Sequence, residues 1–307
     1  MKDGAISTVT TAVYGAPHPA LAPAPAGAVQ VSPLVPDAAA LEDLPDGGLD
    51  SLVMLAPPGT AERRYAEAQA LRALKPGGRL TVLAPKDKGG SRLRKELEAF
   101  GCAVAETAKR HHRICVVSRP AEPAGLAEAI AAGALRQAGG DGLWTQPGVF
   151  SWDRLDPGTG LLIETLPPLA GRGADFGCGI GVLALAVLAA PAVTHLTLID
   201  TDRRAVAAAR RNVADPRAEI QWADVRRAAH ADLDFVVMNP PFHDAGSEDK
   251  ALGQGFIRAA HGALRKGGTL WLVANRHLPY EAVLAETFKA VTPRADRAGF
   301  KVYEARK

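Results

Sequence analysis

Cysteine, aromatic residues and long apolar runs are all scarce in this chain. Only three of 307 residues are cysteine, Cys102, Cys115 and Cys178, and they lack paired ligand spacing. Neither a disulfide framework nor a zinc knuckle is expected, and the thiols read as reduced. The longest apolar stretch, around Val182 to Ala190, falls far short of the roughly 18 residues that cross a bilayer. Met1-Lys2-Asp3-Gly4 opens no signal peptide, so a cytoplasmic protein with no membrane partner is expected. Charge of one sign is not in excess either. Thirty-six Lys and Arg against 33 Asp and Glu leave +3, too mild to require a polyanionic partner. What the chain does have is 47% apolar and 22% charged residues, near globular averages, and length for two domains at about 150 residues each.

Two local basic clusters break the charge balance. Lys86, Lys88, Arg92, Arg94 and Lys95 form one, and Lys109, Arg110, His111, His112 and Arg113 the other. Each is compatible with an ordinary solvated face; together they are read as contacts to an RNA backbone. His111, His112 and Cys115 do not complete a metal set, because the apolar residues Ile114, Val116 and Val117 mark a strand, and no metal is assigned.

The sequence repeats itself. Ala73 to Ala84 (ALKPGGRLTVLA) is echoed by Ala263 to Ala274 (ALRKGGTLWLVA) at an offset of 190, and Leu49 to Pro58 (LDSLVMLAPP) by Leu233 to Pro241 (LDFVVMNPP). Each copy reads as strand, proline pair, amphipathic helix, glycine turn and buried strand. Only the second copy keeps an asparagine, Asn239, before its prolines, and only the second has a glycine loop upstream. The first half is therefore a degenerate relative of the second. The expected division is a degenerate domain over 1–120, a linker over 121–145 rich in Ala, Gly and Glu and holding a short helix, and a catalytic domain over 146–307. In the second half, strands at 174–176, 196–200, 220–223, 233–238 and 269–274 alternate with helices such as 203–213. That alternation predicts a mostly parallel sheet with its ligand beyond the strands' carboxyl ends.

Four places at those ends carry chemistry. Asp175-Phe176-Gly177-Cys178-Gly179-Ile180-Gly181 is a G-x-G-x-G turn feeding a helix, a weak signal alone and distinct from the G-x-G-x-x-G of dinucleotide enzymes. Asp200, nineteen residues past Gly181, is placed to grip ribose hydroxyls or to cap the next helix, as Asp202 also is. Asp224 offers an acceptor at the same edge or serves as a turn residue. Val237-Met238-Asn239-Pro240-Pro241-Phe242-His243 is the most informative. Two prolines carry no N–H, so the loop presents acceptors and few donors. The Asn239 oxygen and Pro240 carbonyl can accept from a flat amino group, with Phe242 stacking on the unstacked base. His243 or Asp244 is a candidate acceptor for the departing proton, and the Gly-containing segment 243–255 a candidate lid.

Residues 147–307, through Pro147-Gly148-Val149-Phe150-Ser151, the glycine loop, Asn239-Pro240-Pro241-Phe242-His243-Asp244, Ala274-Asn275-Arg276-His277-Leu278-Pro279-Tyr280 and Phe300-Lys301-Val302-Tyr303, closely resemble the ribosomal RNA small-subunit methyltransferase C family. The resemblance implies two tandem Rossmann-like α/β domains. The first is degenerate, with an RNA-binding or structural role; the second is catalytic, with a mostly parallel seven-stranded sheet. It implies methylation of a guanine N2 in ribosomal RNA, S-adenosylmethionine as cofactor, and ribosomal RNA or the small-subunit particle as partner, with a monomer expected. It also implies roles: Asp175, Gly177 and Gly179 at the methionine and ribose end, Asp200 on the ribose, and Asp224 at the adenine amino group. Asn239, Pro240 and Phe242 would hold the target base, Asn239 also lying near the transferable methyl. The same Asn-Pro-Pro-aromatic chemistry would serve adenine N6 or a protein glutamine. A nonenzymatic RNA-binding assembly factor and a nicotinamide dehydrogenase are the readings of other classes.

Overall fold

The computed structural model describes residues 10–138, 142–227, 230–241, 243–244, 247–248 and 250–307. The chain forms two compact units that divide between Ala134 and Leu135. In the first, strands β1 (Thr11–Tyr14), β2 (Val29–Gln30) and β3 (Leu49–Leu55) are followed by helix α1 (Thr60–Ala73) and strand β4 (Leu74–Pro85). Then come α2 (Leu93–Ala99), β5 (Ala105–Lys109), β6 (His112–Ser118) and α3 (Leu126–Gly133). The sheet order is β2-β1-β3-β4-β6-β5, parallel up to β4 and antiparallel beyond it.

The second unit opens with a hairpin, β7 (Arg136–Ala138) and β8 (Leu143–Thr145), and helix α4 (Pro157–Thr165). It continues through β9 (Gly171–Phe176), α5 (Val182–Leu188), β10 (Val193–Asp200), α6 (Arg203–Asn212), β11 (Ala218–Trp222) and β12 (Leu233–Met238). After a short pair, β13 (His243–Asp244) and β14 (Ser247–Glu248), come α7 (Lys250–Ala263), β15 (Leu264–Asn275), α8 (Tyr280–Thr287), β16 (Ala290–Arg297) and β17 (Phe300–Arg306). The seven strands run β11-β10-β9-β12-β15-β17-β16. The first four pairings are parallel and the last two antiparallel. Both faces are covered. Along β12, Val236 and Met238 enter one core, and Phe235 and Val237 the other, which is why Phe235 to Met238 read as an unbroken apolar run.

The internal echo is a shared topology: β1, β3, β4, β6 and β5 occupy the places that β9, β12, β15, β17 and β16 hold in the second unit. One local detail differs from expectation in both copies. The glycine turn does not separate helix from strand but lies inside a 12-residue strand. Pairing jumps from Leu49↔Leu74 to Ser51↔Arg79 in one unit and from Leu233↔Leu264 to Phe235↔Thr269 in the other. Gly77 and Gly267 absorb the extra residues at φ of 78° and 80°, torsions that side chains disfavour. The first unit is shortened where the second carries its glycine loop: between β1 and β2 it holds no helix among the described residues, and it has no counterpart of β11.

Two expectations need correction. Residues 121–145 contain the short helix expected of them, but they are not a free spacer. Leu126, Ala129 and Ile130 recur on one face of α3 and join the core of the first unit, and Gly133 lies so close to α1 that a Cβ would come within 2.3 Å of Tyr65. Beyond it, Arg136–Ala138 and Leu143–Thr145 pair as the hairpin of the second unit. The segment 243–255 is not a continuous loop either, since Gly253 and Gly255 belong to α7. Gly253 faces Tyr280, whose Oη a Cβ would meet at 1.7 Å, so this glycine serves helix packing.

Candidate active site

The ends of β9, β10, β11 and β12 lie side by side, and β9 is the strand at which the order reverses. At its end the backbone turns through Gly177, Gly179 and Gly181, all at positive φ (76°, 53° and 92°). The N–H groups of Gly177 and Cys178 both donate to the Ile199 carbonyl (2.9 and 3.0 Å), which fastens the loop to β10. Asn212 ties it to the hairpin as well. Its Nδ2 donates to the carbonyls of Ile180 and Trp144 (both 2.9 Å), and its Oδ1 accepts from the Trp144 N–H (2.7 Å).

A cavity of about 300 Å³ opens at this point, at the lower end of ligand-site volumes. Its walls are the glycine loop, the hairpin residues Ala138, Leu143 and Thr145, the segment from Phe150 to Asp156, and Asn239. Asp175, 1% exposed, also lines it. Among the described residues, neither of its carboxyl oxygens nor the buried Thr145 Oγ1 has a hydrogen-bond partner. Buried polar atoms without partners are rare and costly. Burial, reinforced by the Asp200 carboxylate, pushes the Asp175 carboxyl up to about 8. An unpartnered carboxyl and an unpartnered hydroxyl on one cavity fit a ligand that carries a cationic donor at that end, since a nearby positive charge favours the ionised carboxylate that burial disfavours.

Asp200 and Asp202 divide the roles that sequence left open. Asp202 caps α6, accepting from the Arg204 N–H (2.9 Å). Asp200 accepts from the Gly179 N–H (2.8 Å) and the Asp202 N–H (2.8 Å). Burial lifts its carboxyl to about 6, against the pull of these N–H bonds. Each oxygen keeps acceptor capacity for a hydroxyl, although Asp200 does not line the cavity. Asp224 is also outside the cavity wall. Arg226 grips it with bonds of 2.7 to 3.2 Å and holds its carboxyl below the usual range.

Asn239 is where the geometry is most specific. Its Nδ2 donates to Asp156 Oδ2 (2.9 Å) and to Thr159 Oγ1 (2.9 Å). Both amide hydrogens are thereby spent, and among the described residues nothing donates to its Oδ1. Pro240 is buried directly behind it. Phe242 lies outside the described residues, as do the side chains of His243 and Asp244. The degenerate copy makes a telling contrast. There Ala56 stands in place of Asn239, and the carbonyls of Pro57 and Pro58 accept from the buried Arg63 Nη1 (3.2 and 2.8 Å). Arg63 is itself held by both oxygens of Glu96 (2.6 and 2.8 Å). The acceptors of the first unit are thus consumed internally.

Sequence reading brought Asp175, Gly177, Gly179 and Asn239 to this cavity but missed Asp156, Thr159 and Thr145. Asp156-Pro157 carries a legible helix-start signal, and Asp156 does cap α4 through the Thr159 N–H (2.8 Å). Its partnership with a residue 83 positions away leaves no local mark.

Comparison with known proteins places this arrangement. The model of the methyltransferase small domain matches residues 141–304. The ribosomal RNA small subunit methyltransferase C of Shewanella loihica is 32% identical over 84% of this chain and 77% of its own length. That of Pseudomonas paraeruginosa is 35% identical over 86% and 81%. Among solved structures, a 16S rRNA N2 methyltransferase of T. thermophilus, in complex with AdoMet and guanosine, superposes with a TM-score of 0.72. It is 28% identical, over 88% of this chain and 76% of that one. With the duplicated topology, the glycine loop and the Asn-Pro-Pro turn in place, the chain belongs to the ribosomal RNA small subunit methyltransferase C family.

Proposed function

We propose that this chain methylates the exocyclic N2 of a guanine in small-subunit ribosomal RNA, with S-adenosylmethionine as donor. The observation that carries the reading is the Asn239 amide. Its two hydrogens are committed to Asp156 and Thr159, so the oxygen is the end left for a ligand, and an oxygen selects a donor such as an amino group. Asp175 and Thr145 would take the ammonium end of the cofactor, Gly177 and Gly179 would let it approach the main chain, and Asp200 would accept from its ribose. When bound, the cofactor supplies a methyl group on sulfur that is open to attack by an amine. The chain's own part is to hold the nucleophile in line and to accept hydrogen bonds from N2–H. Those bonds strengthen as positive charge grows on nitrogen. Incubating the protein with unmodified ribosomal RNA and labelled cofactor, then digesting to nucleosides, should place label in N2-methylguanosine. Label in N6-methyladenosine, or none in RNA, would overturn the assignment.

The first unit is read as the RNA-facing partner in this function. Its two basic clusters, separated in sequence, meet in space: the Lys86 N–H donates to the His111 carbonyl (2.8 Å), and Pro85 pairs with His112. Lys86, Lys109 and Arg110 are exposed there. Arg94 and Arg113 are drawn off by Glu106 and Glu98, and so are poorer phosphate ligands than the sequence suggests. Reversing charge at Lys86 and Arg110 should weaken RNA binding and lower the slope of log affinity against log salt by roughly 0.7 to 0.9 per lost contact. Cofactor affinity measured by calorimetry should not change. An unaltered salt slope would remove this surface from the RNA path.

A further inference from the structure

An asparagine amide is nearly symmetrical in shape, and a half-turn about its last bond exchanges an acceptor for a donor. What sets its direction is the company it keeps. At Asn239 that company is Asp156, whose Oδ2 accepts, and Thr159, whose hydroxyl is itself directed. Thr159 Oγ1 lies 3.3 Å from Asp156 Oδ2 and donates there, so its free lone pair faces Asn239 Nδ2 at 2.9 Å. Asp156 Oδ2 receives three groups: the Thr159 N–H (2.8 Å), the Thr159 hydroxyl and the Asn239 amide (2.9 Å). Thr159 is 9% exposed. Gly158, between them, leaves no room for movement, since a Cβ there would meet the Phe300 ring at 2.8 Å and Asp156 Oδ2 at 2.9 Å. The first turn of α4 is therefore built against the end of β12, and the cavity wall includes all three polar residues.

We propose that Asp156 and Thr159 are positioning residues that lock the Asn239 amide with its oxygen toward the target amine, making the site selective for an N–H donor. The inference rests on the role given to Asn239 under the proposed function. With Asp156 neutralised or removed, the amide loses its charged partner and populates both orientations, one of which meets the substrate's N–H groups with its own. Single-turnover transfer should fall by roughly 10- to 100-fold, the loss of one charge-assisted hydrogen bond, and KM for RNA should change little.

Asp156 also caps α4, so the test must separate capping from positioning. Asp156→Ser keeps a cap side chain but is too short to reach Asn239, and Thr159→Val removes the second acceptor with its shape preserved. Each is made alone and with Asn239→Ala, and kcat, KM, melting temperature and cofactor affinity are measured for all. The expected result is non-additivity: either change slows the native protein, yet neither slows the Asn239→Ala background further, and cofactor affinity holds throughout. Losses that add in full on that background would show a merely structural role and overturn the proposal, while leaving Asn239 as the amine acceptor. An Asn239→Ala protein as fast as the native one would instead sink the parent reading. If Asp156→Ser lowers the melting temperature too far for assay, Thr159→Val carries the same cycle alone.

Discussion

Asn239→Ala should slow single-turnover methyl transfer by about 10²- to 10³-fold, the cost of removing one preorganised hydrogen-bond partner from a charge that develops in the transition state. S-adenosylmethionine affinity should stay within about twofold, because the side chain contributes where the reaction occurs and not to uniform binding. The reason lies in the direction of the charge. Guanine N2 has a lone pair delocalised into the ring, and as it attacks, its hydrogens become more acidic and bind an oxygen more tightly. Alanine leaves N2–H with the Pro240 carbonyl alone and leaves Asp156 Oδ2 without one of its donors. Asn239→Asp should be no better, since it sets a second carboxyl against Asp156 and forces the pair to share a proton. Equal losses in rate and cofactor affinity would contradict this division of labour.

Asp175→Asn is expected to act in opposite directions on binding and on stability. The buried carboxylate faces the cavity without a partner, so its removal should weaken cofactor affinity by roughly 10- to 150-fold, the range for a charge-assisted bond. The ligand-free variant should nevertheless melt higher. Burial, then Asp200, pushes the carboxyl up to about 8, so between about pH 4 and pH 8 the folded chain keeps a proton that the unfolded chain has lost. That contribution is complete below the unfolded value and drains away as pH rises through the folded one. Asparagine has no proton to lose. The variant's advantage in melting temperature should therefore widen from about pH 4 to about pH 8 and then level off. A variant that melts lower than the native chain at about pH 9 would mean that Asp175 is satisfied in the ligand-free fold.

Much of this architecture was legible because it is written in local periodicity. The apolar run Phe235 to Met238 of β12, the helix of α6 and the glycine torsions all follow from near neighbours in sequence, and the repeat at an offset of 190 exposed the duplication. What escaped was non-local. Whether Asp200 or Asp202 capped α6 depended on where the Gly179 N–H falls. Arg94 is held by Glu98 one helical turn on, a local pair, but whether Arg113 was free for phosphate depended on Glu106 on the neighbouring strand. The Asp156–Asn239 bond joins a helix start to a strand end across 83 residues, and one sequence carries no mark of it. The short helix within 121–145 was legible, but its docking on the first unit's core was not, because its Ala- and Gly-rich composition is that of a linker and only the i, i+3, i+4 placement of Leu126, Ala129 and Ile130 marks a buried face.

The most direct test is a crystal structure of this protein with S-adenosylhomocysteine and guanosine. Guanine N2 should lie within about 2.7 to 3.2 Å of Asn239 Oδ1, with Nδ2 still bonded to Asp156 and Thr159 and the cofactor's ammonium on Asp175. A base bound with N2 turned to solvent, or an Asn239 amide reversed so that Nδ2 faces the ligand, would contradict the reading.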